Sequence, residues 1–148
     1  QIIHSGEVNA LFVAIDCEMD QANESTTGNV VVKVSIVDEK GRILLDTLIN
    51  PEVEINRSLV KLHGIKKKWL YDAPTLKDVR EYASKMFSKC VFVGHSVIHD
   101  LKCFGMTEVR YADTSYFEDK GGPNDLYFKR QSPKRLKDLV ATYLNGGI

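Results

Sequence analysis

Long apolar runs are absent. Nothing in the 148 residues approaches the ~20 consecutive apolar positions that a bilayer crossing needs, so no membrane span is expected. Cysteine is scarce: Cys17, Cys90 and Cys103 are odd in number, far apart and without a C-x-x-C pair. That pattern argues against a disulfide framework and against a zinc knuckle, and leaves three buried thiols in a reducing compartment as the simplest reading. Neither sign of charge prevails, with 20 basic and 20 acidic side chains. A zero net charge denies the molecule the overall basic field of many polyanion binders, so any such site has to be local. Two basic clusters stand out, Lys66, Lys67 and Lys68, then Lys129, Arg130, Lys134, Arg135 and Lys137. A solvated face is the plain reading of each. The opening QIIHSGEVNA lacks the basic start and apolar middle of a secretion signal. Repeats, low-complexity stretches and Pro/Gly/Ser-rich linkers are missing too, so residues 1–148 are expected to form one intracellular domain with its own core.

What is present is an ordered series of elements. Residues 11–18, 30–38 and 43–49 are rich in Val, Ile and Leu, and EKGR (39–42) between the last two is a tight-turn sequence. They predict three strands in an antiparallel meander. A short helical stretch is expected near 57–63, and Thr75 with Asp78 three residues on opens a stronger helix. Its apolar positions Leu76, Val79, Ala83, Met86 and Phe87 share one face. CVFVG (90–94) reads as a strand buried on both faces, and HSVIHDLKCF (95–104) as the helix it feeds. Another short strand is predicted over 109–113, then a polar loop through Asp125. Ser132-Pro133 starts a last helix with Leu136, Leu139, Val140 and Tyr143 as its buried stripe, and Asn145, Gly146 and Gly147 stop it. The order βββαβαβα describes a mixed five-stranded sheet covered by helices, an α/β fold with three antiparallel and two parallel strands.

One stretch in this series carries chemistry. FVAIDCEMD (12–20) is an apolar run that ends in carboxylates. Alternate strand residues share a face, so Asp16 and Glu18 project together while Cys17 and Met19 point away. Two neighbouring anions repel, and a hard divalent cation with oxygen ligands is the usual remedy. The plain alternative is that the strand emerges into solvent with its acids hydrated. Asp100 lies just past CVFVG, early in the next helix, where open sheets place ligands beyond strand ends. His95 and His99 stand four apart, a spacing that suits zinc, but the Glu beside the first His that a zinc protease uses is missing. His95 is read instead as a hydrogen-bonded residue of the strand-to-helix turn.

These residues carry a family resemblance. FVAIDCEM resembles the first motif of the DEDDh 3′-to-5′ exonucleases, in the eukaryotic RNA-processing branch where Met follows it. VGHSVIHDLKCF is similar to their second motif, G-H-x-x-x-N-D-(F/L)-K, with its acid at Asp100. NPEVEINRSLVKLHGIKKKWLYDAPTLKDV resembles the intervening segment with its Gly-Ile turn and DAPT. Asp113-Thr114 and SPKRLKDLVATYLN match the following strand and helix, so the resemblance covers nearly the whole chain. It implies a ribonuclease H-like fold and two Mg²⁺ or Mn²⁺ ions held by Asp16, Glu18 and Asp100, which are then the catalytic set. It further implies a single-stranded nucleic acid as partner, RNA before DNA, and an intracellular location, nucleus or nucleolus before cytoplasm. The backbone around Cys17 and Met19 would lie beside the 3′-terminal nucleotide, with His63, Gly64 and Ile65 walling its base and His95 close by. Asp113 and His99 would support the site, and the basic cluster at 129–137 would line the path of the RNA backbone.

Two departures qualify the resemblance. His99 stands where the family commonly has Asn. The third motif, H-x-x-x-x-D, which supplies a general base and a fourth acid, is not found in these residues, and no His follows His99. Asp138 reads as a solvent-facing helix residue, not as that acid. Without the base, roughly 10² to 10⁴ in rate is lost, so the 148 residues by themselves are expected to be weakly active or inactive. The competing reading is a catalytically degenerate nucleic-acid or protein-binding module of the same fold.

Overall fold

A computed structural model describes residues 2–3, 8–25, 27–116 and 134–144. The expected loop through Asp125, the cations Lys129 and Arg130, the Ser132-Pro133 helix start and the Asn-Gly-Gly stop lie outside the described residues.

Strands β1 (Ile2–Ile3), β2 (Phe12–Gln21), β3 (Asn29–Asp38), β4 (Ile43–Leu48), β5 (Val91–Gly94) and β6 (Tyr111–Asp113) form one sheet in the order β1-β4-β3-β2-β5-β6. β2, β3 and β4 are the predicted antiparallel meander, and β5 and β6 add in parallel beside β2. The five-stranded mixed sheet is therefore present. The two-residue strand β1, too short to show a period in the sequence, extends it against β4. Phe92 is fully buried, but its neighbours on β5 are only half-buried, so this strand is not covered on both faces as its composition suggested.

Helices α2 (Leu76–Met86) and α3 (Val97–Phe104) cover one face of the sheet. Thr75 caps α2 by accepting from the Asp78 N–H, and Val79, Ala83 and Phe87 fill the core beneath it. From β2, Val13 and Ile15 join that core, together with Val34 and Ile36 of β3 and Leu101 and Phe104 of α3. A second, smaller core lies under the excursion 50–75, where Ile55, Ile65 and Leu70 pack on Val30, Val32 and Ala22. That excursion carries the short helix α1 (Val60–His63) and a 3₁₀ turn (Lys67–Trp69).

The two cores coexist because β3 bulges. Glu18 pairs with Lys33 but Met19 pairs with Val31, so Val32 is an extra residue on β3. Val34 and Ile36 point into the main core, whereas beyond the bulge Val31 does so and Val30 and Val32 turn to the second core.

The last helix, α4 (Leu136–Tyr143), departs from expectation. Only Leu139 of its predicted stripe is buried, while Leu136 and Tyr143 are exposed. Helical spacing puts these residues on one face, but a face is buried only where a partner surface meets it.

Candidate active site

The site begins at an open edge. β5 pairs with β2 only at Phe12, Val13 and Ala14, so beyond Ala14 the β5 side of β2 has no strand beside it among the described residues. Its backbone donors there need other partners. Helix α3 supplies one: the Cys17 N–H donates to Asp100 Oδ1 at 3.1 Å. The acid expected from the second motif is thus held against the strand of the first.

Several contacts aim α3 at this edge. Ser96 enters the helix with a left-handed φ of 56°, and its N–H donates to Asp113 Oδ1 at 2.8 Å. The same oxygen accepts from the Ser115 N–H and hydroxyl. Asp113 therefore ties β6 to the turn that launches α3. Thr114 Oγ1 donates to the Gly94 carbonyl, so it accepts from His95, whose proton is then on Nδ1. Gly94 has no room for a side chain: a Cβ there would lie 2.6 Å from Val97 Cγ2 and 3.0 Å from the Ile15 carbonyl oxygen. His99 is exposed and meets Asn29 Nδ2 through Nε2 at 3.4 Å.

Asp16 and Glu18 stand on the face of β2 opposite the main core, across from Ser35 and Lys33 of β3. Burial raises the Asp16 carboxyl above the usual carboxylate range, and Lys33 only partly offsets it. Burial, the largest cause, together with the charge of Asp16 pushes Asp100 up to about 6 against the help of the Cys17 N–H. Cys17 is raised well above the ordinary thiol range, by burial first and then by Asp100 and Asp16, so it stays a protonated thiol and no nucleophile. The described residues do not gather three carboxylate, imidazole or thiol groups tightly enough to grip an ion as they stand. The donor set nonetheless suits a hard divalent cation. Its members are carboxylates, and Asp16 and Asp100 bear a mutual repulsion that such a cation relieves.

A cleft of about 470 Å³ opens beside Glu18, lined among others by Lys33, Asp46, His63, Ile65 and Trp69. Lys33 Nζ sits 3.0 Å from Asp46 Oδ1, which also accepts from Ser35 Oγ. Burial raises the Asp46 carboxyl, but the Ser35 and Lys33 contacts outweigh it and hold it below its usual range.

The predicted wall divides. His63 is nearly buried, its side chain 2% exposed: Nε2 meets Asp20 Oδ1 at 3.0 Å and Nδ1 accepts from the Ile65 N–H. The Nδ1 acceptor role makes it a neutral imidazole that donates through Nε2. Ile65 is core, and Gly64 is the left-handed cap of α1. Asp20, the third acid of FVAIDCEMD, is fully buried; it also accepts from the Leu59 N–H, and its Oδ2 has no hydrogen-bond partner among the described residues. Met19 is half-buried. Asp138 is exposed and paired with Arg135 at 2.8 Å. Asp20 is legible in the sequence as one of the acids that end FVAIDCEMD, but no sequence signal points to Lys33, Asp46 or Trp69. Strand register and the path of the excursion place these three.

Known exonucleases are similar to this chain in sequence and in fold. An uncharacterized exonuclease of Schizosaccharomyces pombe is 31% identical over 138 residues, covering 90% of this chain and 21% of that protein. RNA exonuclease 1 homolog of Homo sapiens is 32% identical over 143 residues, 95% of this chain and 11% of that protein. The chain thus spans about a fifth or less of the length of these two relatives. E. coli exonuclease I, solved in complex with an oligonucleotide, shares the fold with a TM-score of 0.55 at 10% identity, over 72% of this chain and 28% of that one. The RNase_T exonuclease family model matches residues 13–143, from the start of β2 to the end of α4, and the chain belongs to that family, with the first and second of the DEDDh motifs in its sequence.

Proposed function

We propose that this domain is a metal-dependent exonuclease that shortens single-stranded RNA from its 3′ end. The observation that carries the proposal is the meeting of Asp100 with the Asp16 strand at the open edge of β2. Asp16, Glu18 and Asp100 are the residues that would hold Mg²⁺ or Mn²⁺. When bound, two such ions supply charge stabilisation for the attacking and leaving oxygens of a phosphodiester displacement. The chain's own residues do the positioning: the Cys17 N–H fixes one Asp100 oxygen, and Asp113 holds the turn that delivers α3. RNA is favoured over DNA because relatives bear the name RNA exonuclease.

The test is a 5′-labelled single-stranded RNA incubated with Mg²⁺ or Mn²⁺, first with the 148-residue chain and then with protein extended beyond Ile148. A stepwise ladder that Asp16→Asn reduces by at least about 10²-fold supports the proposal, since each site carboxylate acts directly on the chemistry. Products of uniform internal cleavage, or an Asp16→Asn ladder equal to wild type, would sink it. A second reading, a binding module without turnover, is favoured by the lack of a ready-made three-ligand cluster among the described residues. RNA binding without shortening in both proteins decides for it.

A further inference from the structure

Trp69 is placed in a way the fold does not require. The 3₁₀ turn that carries it buries its neighbour Leu70 to 2% exposure in the second core, yet leaves the indole 47% exposed and part of the cleft wall beside Glu18. Lys66 Nζ sits 5.5 Å from the ring centroid, so the indole is held in place by a cation–π contact. Ile65 and Pro74 extend the same lining.

The charges of the cleft say which part of a nucleotide fits there. Glu18, Asp46 and Asp72 line it with one lysine, Lys33, whose ammonium is already paired to Asp46, and His63 is neutral. A phosphate entering this space meets net negative charge. A nucleobase is uncharged, has two flat faces suited to an indole, and fits a volume of about 470 Å³. Lys66, at the indole, and Lys68 are exposed, whereas Lys67 Nζ reaches the Ile55 carbonyl at 3.4 Å.

We propose that Trp69 is a stacking wall for one base of the single-stranded RNA, seated in the cleft while the phosphate next to it lies toward Asp16, Glu18 and Asp100. This rests on the exonuclease reading for the identity of the ligand, and it makes Trp69 a determinant of substrate affinity.

Trp69 is the only tryptophan in the sequence, so the chain's indole fluorescence reports on this wall alone. The 148-residue chain is titrated with a short oligoadenylate in Ca²⁺, following both tryptophan quenching and the anisotropy of a 5′-fluorescein label. Saturable quenching that tracks the anisotropy is expected. Trp69→Ala weakens binding about tenfold, within the range for losing one base–aromatic stack, and Trp69→Phe stays within about threefold of wild type. Binding without quenching, no binding at all, or equal affinity in Trp69→Ala overturns the proposal. Cleavage kinetics with Mg²⁺ and protein extended beyond Ile148 separate it from the exonuclease reading. A wild-type ladder with KM unchanged by Trp69→Ala defeats the stacking wall alone. Tryptophan-dependent binding with no ladder defeats the exonuclease reading alone.

Discussion

Asp20 and His63 show how one residue changes meaning between sequence and structure. His63 and Ile65 line the cleft where the resemblance expects a base, and the imidazole also braces the fold: it joins Asp20 on β2 to the Ile65 N–H across the excursion. Nothing in the sequence pairs position 20 with position 63, because that contact exists only once the excursion folds back over the bulged end of β3. The consequence is measurable. Asp20→Ala strands two buried donors, the Leu59 N–H and the His63 Nε2–H, and should cost about 2 to 4 kcal/mol in a urea titration. Asp20→Asn keeps an acceptor oxygen and should lose less than half as much. Equal stability of Asp20→Ala and wild type would show that the pair braces nothing.

At the scale of elements, the strand β5, the turn after it and the helix α3 form the device that delivers Asp100. Its sequence was largely legible: an apolar strand, a glycine and a helical run announced it, and both strand and helix formed where expected. The tightness of the turn was not legible. Gly94 is fixed by the approach of Val97 and of the Ile15 carbonyl, a contact between strands that sequence spacing cannot show. Gly94→Ala forces one of them to shift, and the Val97 contact at 2.6 Å makes the start of α3 the part that moves. We expect a loss of about 1 to 3 kcal/mol in stability and a fall in nuclease rate larger than the fraction unfolded explains, because Asp100 rides on the displaced helix. A Gly94→Ala protein with wild-type rate per folded molecule would refute the coupling. α4 shows the reverse case: its helix was legible, but its burial was not, since Leu139 is the one buried residue among its described positions.

For the molecule as a whole, the site carboxylates set a tension between stability and function. Asp100 holds its proton more tightly in the fold than in the unfolded chain, with a value of about 6 against 3.8, and Asp16 is raised as well. A raised acid means that the folded state binds more protons, so metal-free stability is fullest below about pH 4 on this account and declines as pH rises through 6. Asp38 and Asp46 are lowered and act in the opposite sense, but their contribution is lost only as pH falls below about 4, outside that window. Because Asp100 is only half-buried, its share is about 1 to 2 kcal/mol after solvent screening. Mn²⁺ binds the ionised carboxylates and should therefore raise the melting temperature more at pH 7 than at pH 5. A shift of equal size at both values, or none at pH 7, would count against a metal site at these acids.

The extra residue at Val32 has a consequence for how this sheet tolerates change. On either side of it β3 follows opposite parity, so one strand serves a dry interior with its even positions at one end and with an odd position at the other. A substitution within β3 alters one contact. Removing Val32 itself would close the bulge and leave Val31 opposite Met19 and facing the main core, whereas removing a residue elsewhere in β3, such as Ser35, would exchange inside for outside along everything on one side of the cut. Strand length is thus held tightly along β3 except at the bulge, where one residue can go at the cost of Val32's place in the second core without turning a face over.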